Sequence, residues 1–282
     1  MFRKCRRCII KTITVFIFII ISSNSYSQFR FDYPITEIEP VELVITYSLD
    51  FKEDTLNLYY IRHEKMVLFI GENTSRFSSW NMYILDTIMM GIKNYEEYQT
   101  LFVMADNPRP KLFYRIFKNY PPGKISYFEH IPSSTFRYEE ELDVFSWELH
   151  PDTDTIAGQF VQKATTDYGG RSWIAWFSPD IPYSDGPYKF NGLPGLIVKV
   201  YDAQEHYVFE LQTLEKPEKG LMIKLIEKDF VDVSKQDFFK AKDSFYGNII
   251  SRAKEAGLSS DSQQTAARNV SAKNNPIEIK RD

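Results

Sequence analysis

Two neighbouring stretches in the second half of the chain carry the clearest information about the fold. Residues 163–177 read KATTDYGGRSWIAWF, and residues 191–201 read NGLPGLIVKVY. In the first stretch two β-prone runs flank Gly169 and Gly170, and glycine readily adopts the positive φ that a tight hairpin turn demands. In the second stretch a turn precedes a run whose side chains alternate between two faces. Both stretches therefore predict antiparallel strands joined by turns.

Short β-prone runs continue through most of the chain. Runs separated by turns about every eight to twelve residues are typical of a continuous antiparallel sheet. Residues 80–104 instead have apolar side chains at helical spacing and predict one or two helices. A further helix is predicted to begin at Ser234 and to end near Gly257, with capping residues at both positions. Strands are predicted at 41–47, 54–61, 66–70, 112–117, 125–130, 135–138, 144–149, 156–166, 171–177, 196–201, 207–214 and 222–227.

These elements predict one α+β domain over residues 28–258, mainly of antiparallel β structure. A sheet of about nine or ten strands twists and curls, which favours a half-barrel-like sheet with one or two helices packed on its concave face. Residues 259–275 are polar and contain no aromatic residue, so a flexible segment is expected there. Residues 276–282 are expected to form a short terminal strand or tail.

The first 27 residues have the layout of a secretory signal peptide. Five basic residues precede residue 12, an apolar run follows from Ile13 to Ile21, and Ser25-Tyr26-Ser27 is a small-x-small cleavage site. An apolar run of about ten residues is too short for a bilayer core that needs about twenty. We therefore expect an exported protein, in the periplasm, on the outer membrane or secreted, with no transmembrane span after the leader is removed.

Composition excludes several functional classes for the mature chain. Both cysteines, Cys5 and Cys8, lie in the leader, so disulfides, thiolate metal ligands and a cysteine nucleophile are not expected. Without the five leader bases, Lys+Arg falls from 34 to 29 against 38 Asp+Glu, a net charge of −9. An acidic chain of this kind is not expected to bind nucleic acid.

The hexapeptide Gly192-Leu193-Pro194-Gly195-Leu196-Ile197 spells GLPGLI, and with residues 163–187 it resembles the GLPGLI family of Bacteroidetes. Residues 275–279, Asn-Pro-Ile-Glu-Ile, are similar to the ending that these proteins share, and residues 75–79 are similar to a stretch in their N-terminal halves. The chain departs from the family at residues 161–162, where a cysteine is common. The resemblance implies an exported protein without an assigned activity.

The hexapeptide also has a mechanical interpretation. Pro194 presets φ for the first central position of a type II turn, and Gly195 supplies the positive φ that the second requires. Asn191-Gly192 makes an adjoining turn, so the motif is expected to place the following strand. The alternative is a glycine-bordered loop that lets a ligand approach the backbone, although the spacing and following helix of a phosphate site are missing.

Polar and aromatic residues around the motif are candidate ligand-binding residues. Aromatic stacking and charge-assisted hydrogen bonds would suit a peptide or a glycan. The alternative is cross-strand ion pairing on a solvated face, with the tryptophans in the core. Strand alternation places Trp173 and Trp176 on opposite faces, so only one of them can line a given groove. The candidate residues are Lys163, Arg171, Trp176, Asp180 and Tyr188, with Asp167 and Asp202 as further groove residues.

No sequence motif predicts catalytic residues, a cofactor or a metal site. Nucleotide-loop, dinucleotide and zinc-protease patterns are absent, and the four histidines lack metal-ligand spacing. The favoured hypothesis is a non-enzymatic periplasmic binding or accessory protein, linked to outer-membrane uptake or secretion, with an envelope protein, a peptide or a glycan as partner. One alternative is an envelope hydrolase acting on peptides or glycans through Asp180 and a second acid. The other is a structural protein of the envelope.

Overall fold

The protein is described by a computed structural model that covers residues 34–103, 107–132, 134–227 and 230–280. The predicted signal peptide, residues 1–27, lies outside these ranges. The helices in them are α1 (Trp80–Gly91), α2 (Tyr95–Val103), α3 (Lys235–Gly247), α4 (Ile249–Glu255) and α5 (Ser260–Ser271). The strands are β1 (Ile35–Pro40), β2 (Leu43–Phe51), β3 (Arg62–Ile70), β4 (Ser75–Ser79), β5 (Arg115–Lys118), β6 (Lys124–Ile131), β7 (Ser134–Glu141), β8 (Glu148–Ile156), β9 (Gln159–Tyr168), β10 (Arg171–Ser178), β11 (Leu196–Asp202), β12 (Tyr207–Glu215), β13 (Met222–Ile226) and β14 (Phe230–Asp232).

Twelve strands form one large sheet in the order β14-β7-β6-β5-β4-β3-β2-β12-β11-β10-β9-β8. The parallel pair β14–β7 lies at one edge, and the other neighbours in this sheet are antiparallel. The sheet is not closed into a barrel. The predicted α+β class, with helices packed on a large antiparallel sheet, is therefore confirmed, although the sheet is wider than nine or ten strands.

Each face of this sheet carries its own core. On one face, which we call the α3 face, Phe238 of α3 packs against the rings of Tyr127 and Tyr138, with centroids 5.6 and 5.2 Å away. On the other, the α1 face, Phe69 packs against Tyr83 of α1 at 4.7 Å. Strand alternation explains the division, because successive residues of a strand point to opposite faces. The small sheet β1–β13 contributes to the second core.

The predicted start of the last long helix is confirmed. Ser234 caps α3 by accepting a hydrogen bond from the backbone N–H of Asp237 at 3.1 Å, which satisfies one of the free donors of the first turn. The helical stretch is divided at Asn248 into α3 and α4. Gly257 has φ of 75°, as expected for a left-handed C-terminal cap.

Several predicted strand boundaries are wrong. Residues 54–61, predicted as a strand, form turns between β2 and β3, because Phe51 pairs directly with Arg62 and leaves the segment outside the sheet. Leu56 and Tyr59 in this segment are 90% and 98% exposed. Residues 156–166 are not one strand, because a turn at 157–158 with positive φ separates β8 from β9. The strand predicted at 222–227 pairs with β1 in the small sheet instead of extending the large one.

The C-terminal region also differs from its prediction. Within the polar segment 259–275 the structure has helix α5, whose first turn is capped by the Ser259 side chain. Residues 276–280 form no strand. They are held by single backbone hydrogen bonds, such as that from the N–H of Ile279 to the carbonyl oxygen of Gly169 at 2.6 Å. The segment 275–280 therefore runs from the end of β2 to the β9–β10 turn.

Candidate functional site

A cavity of about 400 Å³ lies on the α3 face, between the sheet, α3, α5 and the C-terminal segment. We call it the aromatic cavity. Phe51 at the end of β2, Tyr127 on β6 and Tyr207 at the start of β12 point into it, because they occupy core-facing positions on their strands. Its wall is completed by Tyr114, Tyr188, Phe239 and Tyr246.

The aromatic cavity contains a carboxylate that is already held by the protein. Glu129, two residues after Tyr127 on the same face of β6, accepts a hydrogen bond from the Tyr127 hydroxyl at 2.7 Å. Its two oxygens also accept bonds from Lys242 of α3 at 2.7 and 2.9 Å. Burial, and then the charge of Glu129, raise the pKa of Tyr127 well above its usual value, so this hydroxyl remains a donor at physiological pH.

Tyr114 supplies an unused hydrogen-bonding group in the same cavity. Its side chain is 5% exposed and lines the cavity, and its hydroxyl makes no hydrogen bond to any of the residues that the structure describes. Burial raises the pKa of Tyr114 well above its usual value, which keeps the hydroxyl neutral. A hydroxyl that faces a cavity can exchange hydrogen bonds with a molecule that occupies the cavity. A ligand in the aromatic cavity could therefore both donate to and accept from this group.

Four charged side chains meet behind the wall of the aromatic cavity that Glu278 lines, and Lys189 and Glu278 are fully buried there. Lys189 has no exposed surface, and its ammonium group contacts Glu140 and lies 2.7 Å from Glu278. Lys235 of α3 lies 2.7 Å from a carboxylate oxygen of each glutamate. We call these four residues the Lys189 cluster. Its two positive and two negative charges balance, and Lys189 also donates hydrogen bonds to the hydroxyl oxygens of Tyr138 and Tyr168 at 3.0 and 3.1 Å.

The pKa of Glu278 reports how strongly this cluster binds a carboxylate. Burial by itself raises that pKa. The charges and hydrogen bonds of Lys189 and Lys235 lower it by more than burial raises it, so the pKa of Glu278 is about 2. Tyr188 also donates a hydrogen bond to Glu278 at 2.5 Å. The C-terminal segment is therefore fixed inside the protein by an ionised glutamate.

Arg171 holds the residues just before Glu278. Its guanidinium donates to the carbonyl oxygens of Pro276 and Ile277 at 2.7 and 3.0 Å, and to the side chain of Asn275 at 2.6 Å. The carboxylate of Asp202 balances its charge at 2.8 Å. Arg171 therefore joins the segment to Asp202 on the sheet, which explains how a segment without strand pairing stays ordered there.

The structure separates the five candidate ligand-binding residues into three groups. Arg171 and Tyr188 are buried on the α3 face, and Tyr188 lines the aromatic cavity. Lys163 and Trp176 are directly opposite each other on β9 and β10 and are half-buried, and Trp176 packs against the core that contains Tyr188. Asp180 is exposed in the turn after β10. The structure thus brings together two pairs and leaves Asp180 apart, and ligand binding by these residues stays a prediction.

The other groove candidates have partners within the fold. Trp173 is buried and donates its indole N–H to the carbonyl oxygen of Tyr168 at 3.0 Å. Asp167 accepts a hydrogen bond from Ser172 at 2.6 Å. Sequence analysis identified Tyr188 alone among the lining residues, and the polar ones that it missed include Tyr114, Glu129 and Lys242. The alternation of Tyr127 and Glu129 on β6 was the one signal that could have indicated two of the lining residues.

The GLPGLI hexapeptide lies at the entry to β11. The positive φ predicted for Gly195 is confirmed at 148°, and a Cβ there would lie 2.1 Å from the carbonyl oxygen of Ser178. The predicted type II turn is wrong, because its hydrogen bond from the N–H of Leu196 to the carbonyl oxygen of Leu193 is not made. The N–H of Leu196 bonds to the carbonyl oxygen of Ile181 at 3.0 Å, and the N–H of Gly195 bonds to that of Leu193 at 2.8 Å. Gly195 is needed so that the chain can pass close to the end of β10.

The loop before the hexapeptide is held by a buried lysine. Lys118 at the end of β5 donates to the carbonyl oxygens of Gly186 and Phe190 at 2.6 and 3.2 Å and pairs with Asp185. Burial lowers the pKa of Lys118, and the charge of Asp185 opposes that shift. The hexapeptide and its preceding loop therefore connect β10 to β11 and place Lys189 and Tyr188 on the α3 face.

Comparisons with known proteins agree with this antiparallel β-rich fold. Residues 159–199, which cover β9, β10 and the hexapeptide, match the model of a family described as "Protein of unknown function (Porph_ging)". A search of curated proteins finds no match. The crystal structure of PNGF-II in the P21 space group is similar with a TM-score of 0.50 at 13% identity, over 71% of this chain and 32% of that chain. A second PNGF-II structure, in the C2 space group, gives 0.49 at 14% identity over the same shares. The chain thus spans about a third of the PNGF-II chain, and the likeness concerns the fold alone.

Two further properties bear on the site. Within the described ranges, no group of three or more His, Cys, Asp or Glu residues is arranged to hold a metal ion. None of the helices described above has the length and hydrophobicity needed to cross a bilayer.

Proposed function

We propose that the protein is an exported, non-enzymatic binding protein of the cell envelope that takes a peptide or glycan ligand in the aromatic cavity. The observation that carries this proposal is a cavity of about 400 Å³ lined by aromatic side chains, among them Tyr114, whose hydroxyl has no hydrogen-bond partner among the described residues. Cavities of about 300–1,000 Å³ with apolar walls and a few convergent polar groups are typical of ligand sites.

The chemistry of the aromatic cavity supports this ligand class. The rings of Phe51, Tyr207 and Phe239 line the cavity and offer apolar contact surface to a sugar ring or an amino-acid side chain. The hydroxyl of Tyr114 offers a hydrogen bond of the kind that both amides and sugar hydroxyls use. The Glu129–Lys242 pair at 2.7 Å adds a donor and acceptor of opposite charge.

Export and an envelope role rest on the predicted signal peptide at residues 1–27, and a link to outer-membrane uptake or secretion is part of the same proposal. Membership of the GLPGLI family is also proposed. It is supported by the hexapeptide at residues 192–197 and by the family match over residues 159–199. Detection of the chain in the cytoplasm of its native cell, with the leader uncleaved, would refute the export part.

The binding role can be tested by filling the aromatic cavity. Gly247 lines the cavity at the end of α3, and a Cβ added there meets no atom within 4 Å. The mature chain, residues 28–282, would be titrated with a soluble peptide library and an oligosaccharide array. Any ligand found is expected to bind at least about tenfold more weakly to Gly247→Phe, because the new ring occupies its space.

Gly91→Phe is the matched control. Gly91 is also the last residue of its helix, and a Cβ there likewise meets no atom within 4 Å, but it does not line the aromatic cavity. Ligand affinity should be unchanged in this variant. Failure of both libraries to bind, or equal weakening by both variants, would reject the proposal and favour the structural role in the envelope.

The hydrolase hypothesis gains no support at the residue on which it was based. Asp180 is exposed and does not line the aromatic cavity.

A further inference from the structure

A second cavity, of about 180 Å³, lies on the α1 face of the sheet between α1, β5, β6 and β13. Three charged side chains converge there. Arg115 of β5 donates from Nε to Oδ2 of Asp86 at 2.6 Å and from Nη2 to Oδ1 of the same carboxylate. Arg76 of β4 donates from Nη2 to Oδ2 of Asp86 at 2.7 Å. We call these three residues the Arg76 cluster, and all three line the cavity.

The charges of the Arg76 cluster do not balance. Two guanidinium groups share one carboxylate, which leaves one positive charge in excess. Lys224 also lines the cavity, but it is paired with Glu37 at 2.7 Å. Asp86 is the one carboxylate among the described residues that line this cavity.

The excess charge is buried. The side chain of Arg76 is 7% exposed, and its Nε is a buried donor without a hydrogen-bond partner among the described residues. The rings of Tyr83 and Phe117 lie 5.6 and 5.9 Å from the guanidinium and offset part of the charge. A cation out of water is stable mainly when it is paired, so an anion in the adjacent cavity would complete this site.

The remaining walls are mostly apolar and set the size of the ligand. Phe128, Leu225 and Phe230 line the cavity together with Met90 of α1. An apolar protein cavity of about 150 Å³ is large enough for benzene. A volume of about 180 Å³ therefore accommodates a six-membered ring with one small polar group.

We propose that the cavity beside the Arg76 cluster binds a small organic monoanion, a carboxylate carried on an apolar body the size of a benzene ring. The carboxylate contacts the guanidinium groups of Arg76 and Arg115, and the apolar body packs between Leu225 and Phe230. This site is separate from the aromatic cavity, because the two lie on opposite faces of the sheet and share no lining residue.

Benzoate is the direct probe, and benzamide is its uncharged analogue of nearly equal shape. Titration calorimetry on the mature chain should show benzoate binding at least about tenfold more tightly than benzamide, because a charge-assisted hydrogen bond is roughly twice as strong as a neutral one. Arg76→Gln should weaken benzoate binding at least about tenfold for the same reason. Arg252→Gln removes the same type of charge from α4, outside the cavity, and should leave the affinity unchanged.

Three results would overturn the proposal. The first is no binding of benzoate up to about 10 mM, well above the range of a specific site. The second is equal binding of benzoate and benzamide to the unsubstituted chain, a comparison that requires no variant to fold. The third is loss of benzoate binding in Gly247→Phe, which would place the ligand in the aromatic cavity instead.

Discussion

The Lys189 cluster and the Arg76 cluster bury charges on opposite faces of one sheet, but they differ in charge count. In the first, two lysines meet two glutamates, and no charge is left over. In the second, two arginines share Asp86 beside an open cavity. Burial is nearly complete in both. The comparison indicates that a balanced cluster holds the fold together, whereas an unbalanced one next to a cavity is ready for a ligand.

The largest expected effect is in the balanced cluster. Lys189→Met would leave Glu140 and Glu278 with Lys235 as their single cation, and an unpaired buried charge costs about 3–5 kcal/mol of unfolding free energy. Urea denaturation would measure this loss. The double variant Lys189→Met with Glu278→Gln has one lysine and one glutamate in the cluster, so its charges balance again. It should lose less unfolding free energy than the single variant. A loss below about 1 kcal/mol in the single variant would contradict the structural role.

The pH dependence of stability should show the same cluster. Because the pKa of Glu278 falls from 4.5 in the unfolded chain to about 2 in the fold, its contribution is fully present above pH 4.5. It is lost as the pH falls towards 2, and amounts to about 3 kcal/mol. Urea denaturation at pH 6 and at pH 3 would measure how much unfolding free energy the unsubstituted chain and Glu278→Gln each lose between the two pH values. Equal acid sensitivity of the two proteins would show that Glu278 does not carry this part of the stability.

A smaller effect is expected in the unbalanced cluster. Arg76→Gln removes the surplus charge and leaves Asp86 with its two hydrogen bonds from Arg115. We therefore expect a loss of about 1 kcal/mol or less, since no buried charge is left unpaired. The measurement is again urea denaturation, in buffer without carboxylate ions. A loss as large as that of Lys189→Met would mean that both clusters serve the fold in the same way.

The smallest effect is expected for an ion pair outside both clusters. Lys199 on β11 and Glu210 on β12 pair across the strands at 2.8 Å and are partly exposed. Solvent screens such a pair, so Lys199→Gln should cost about 0.5 kcal/mol or less. This variant sets the baseline for the denaturation series. If Lys199→Gln lost more unfolding free energy than Arg76→Gln, burial would not determine how much each ion pair contributes to stability.

Local chemistry explains which parts of the fold could be predicted. The hairpins β9–β10 and β11–β12, the cap at Ser234 and the positive φ of Gly195 depend on neighbouring residues, and all were predicted correctly. Residues 54–61 have the composition of a strand but no neighbouring strand to pair with. Strand composition describes how a residue suits a half-buried pleated surface, and it does not supply the partner.

The sequence by itself determined the class of the fold, because alternating apolar residues and turn residues specify antiparallel strands wherever the chain can pair. Tertiary structure decided the two clusters and the two cavities. Glu278 reaches Lys189 across 89 positions of sequence, and Arg115 reaches Asp86 across 29. Contacts of this kind depend on which strands become neighbours and which face each side chain takes, and long-range packing sets both.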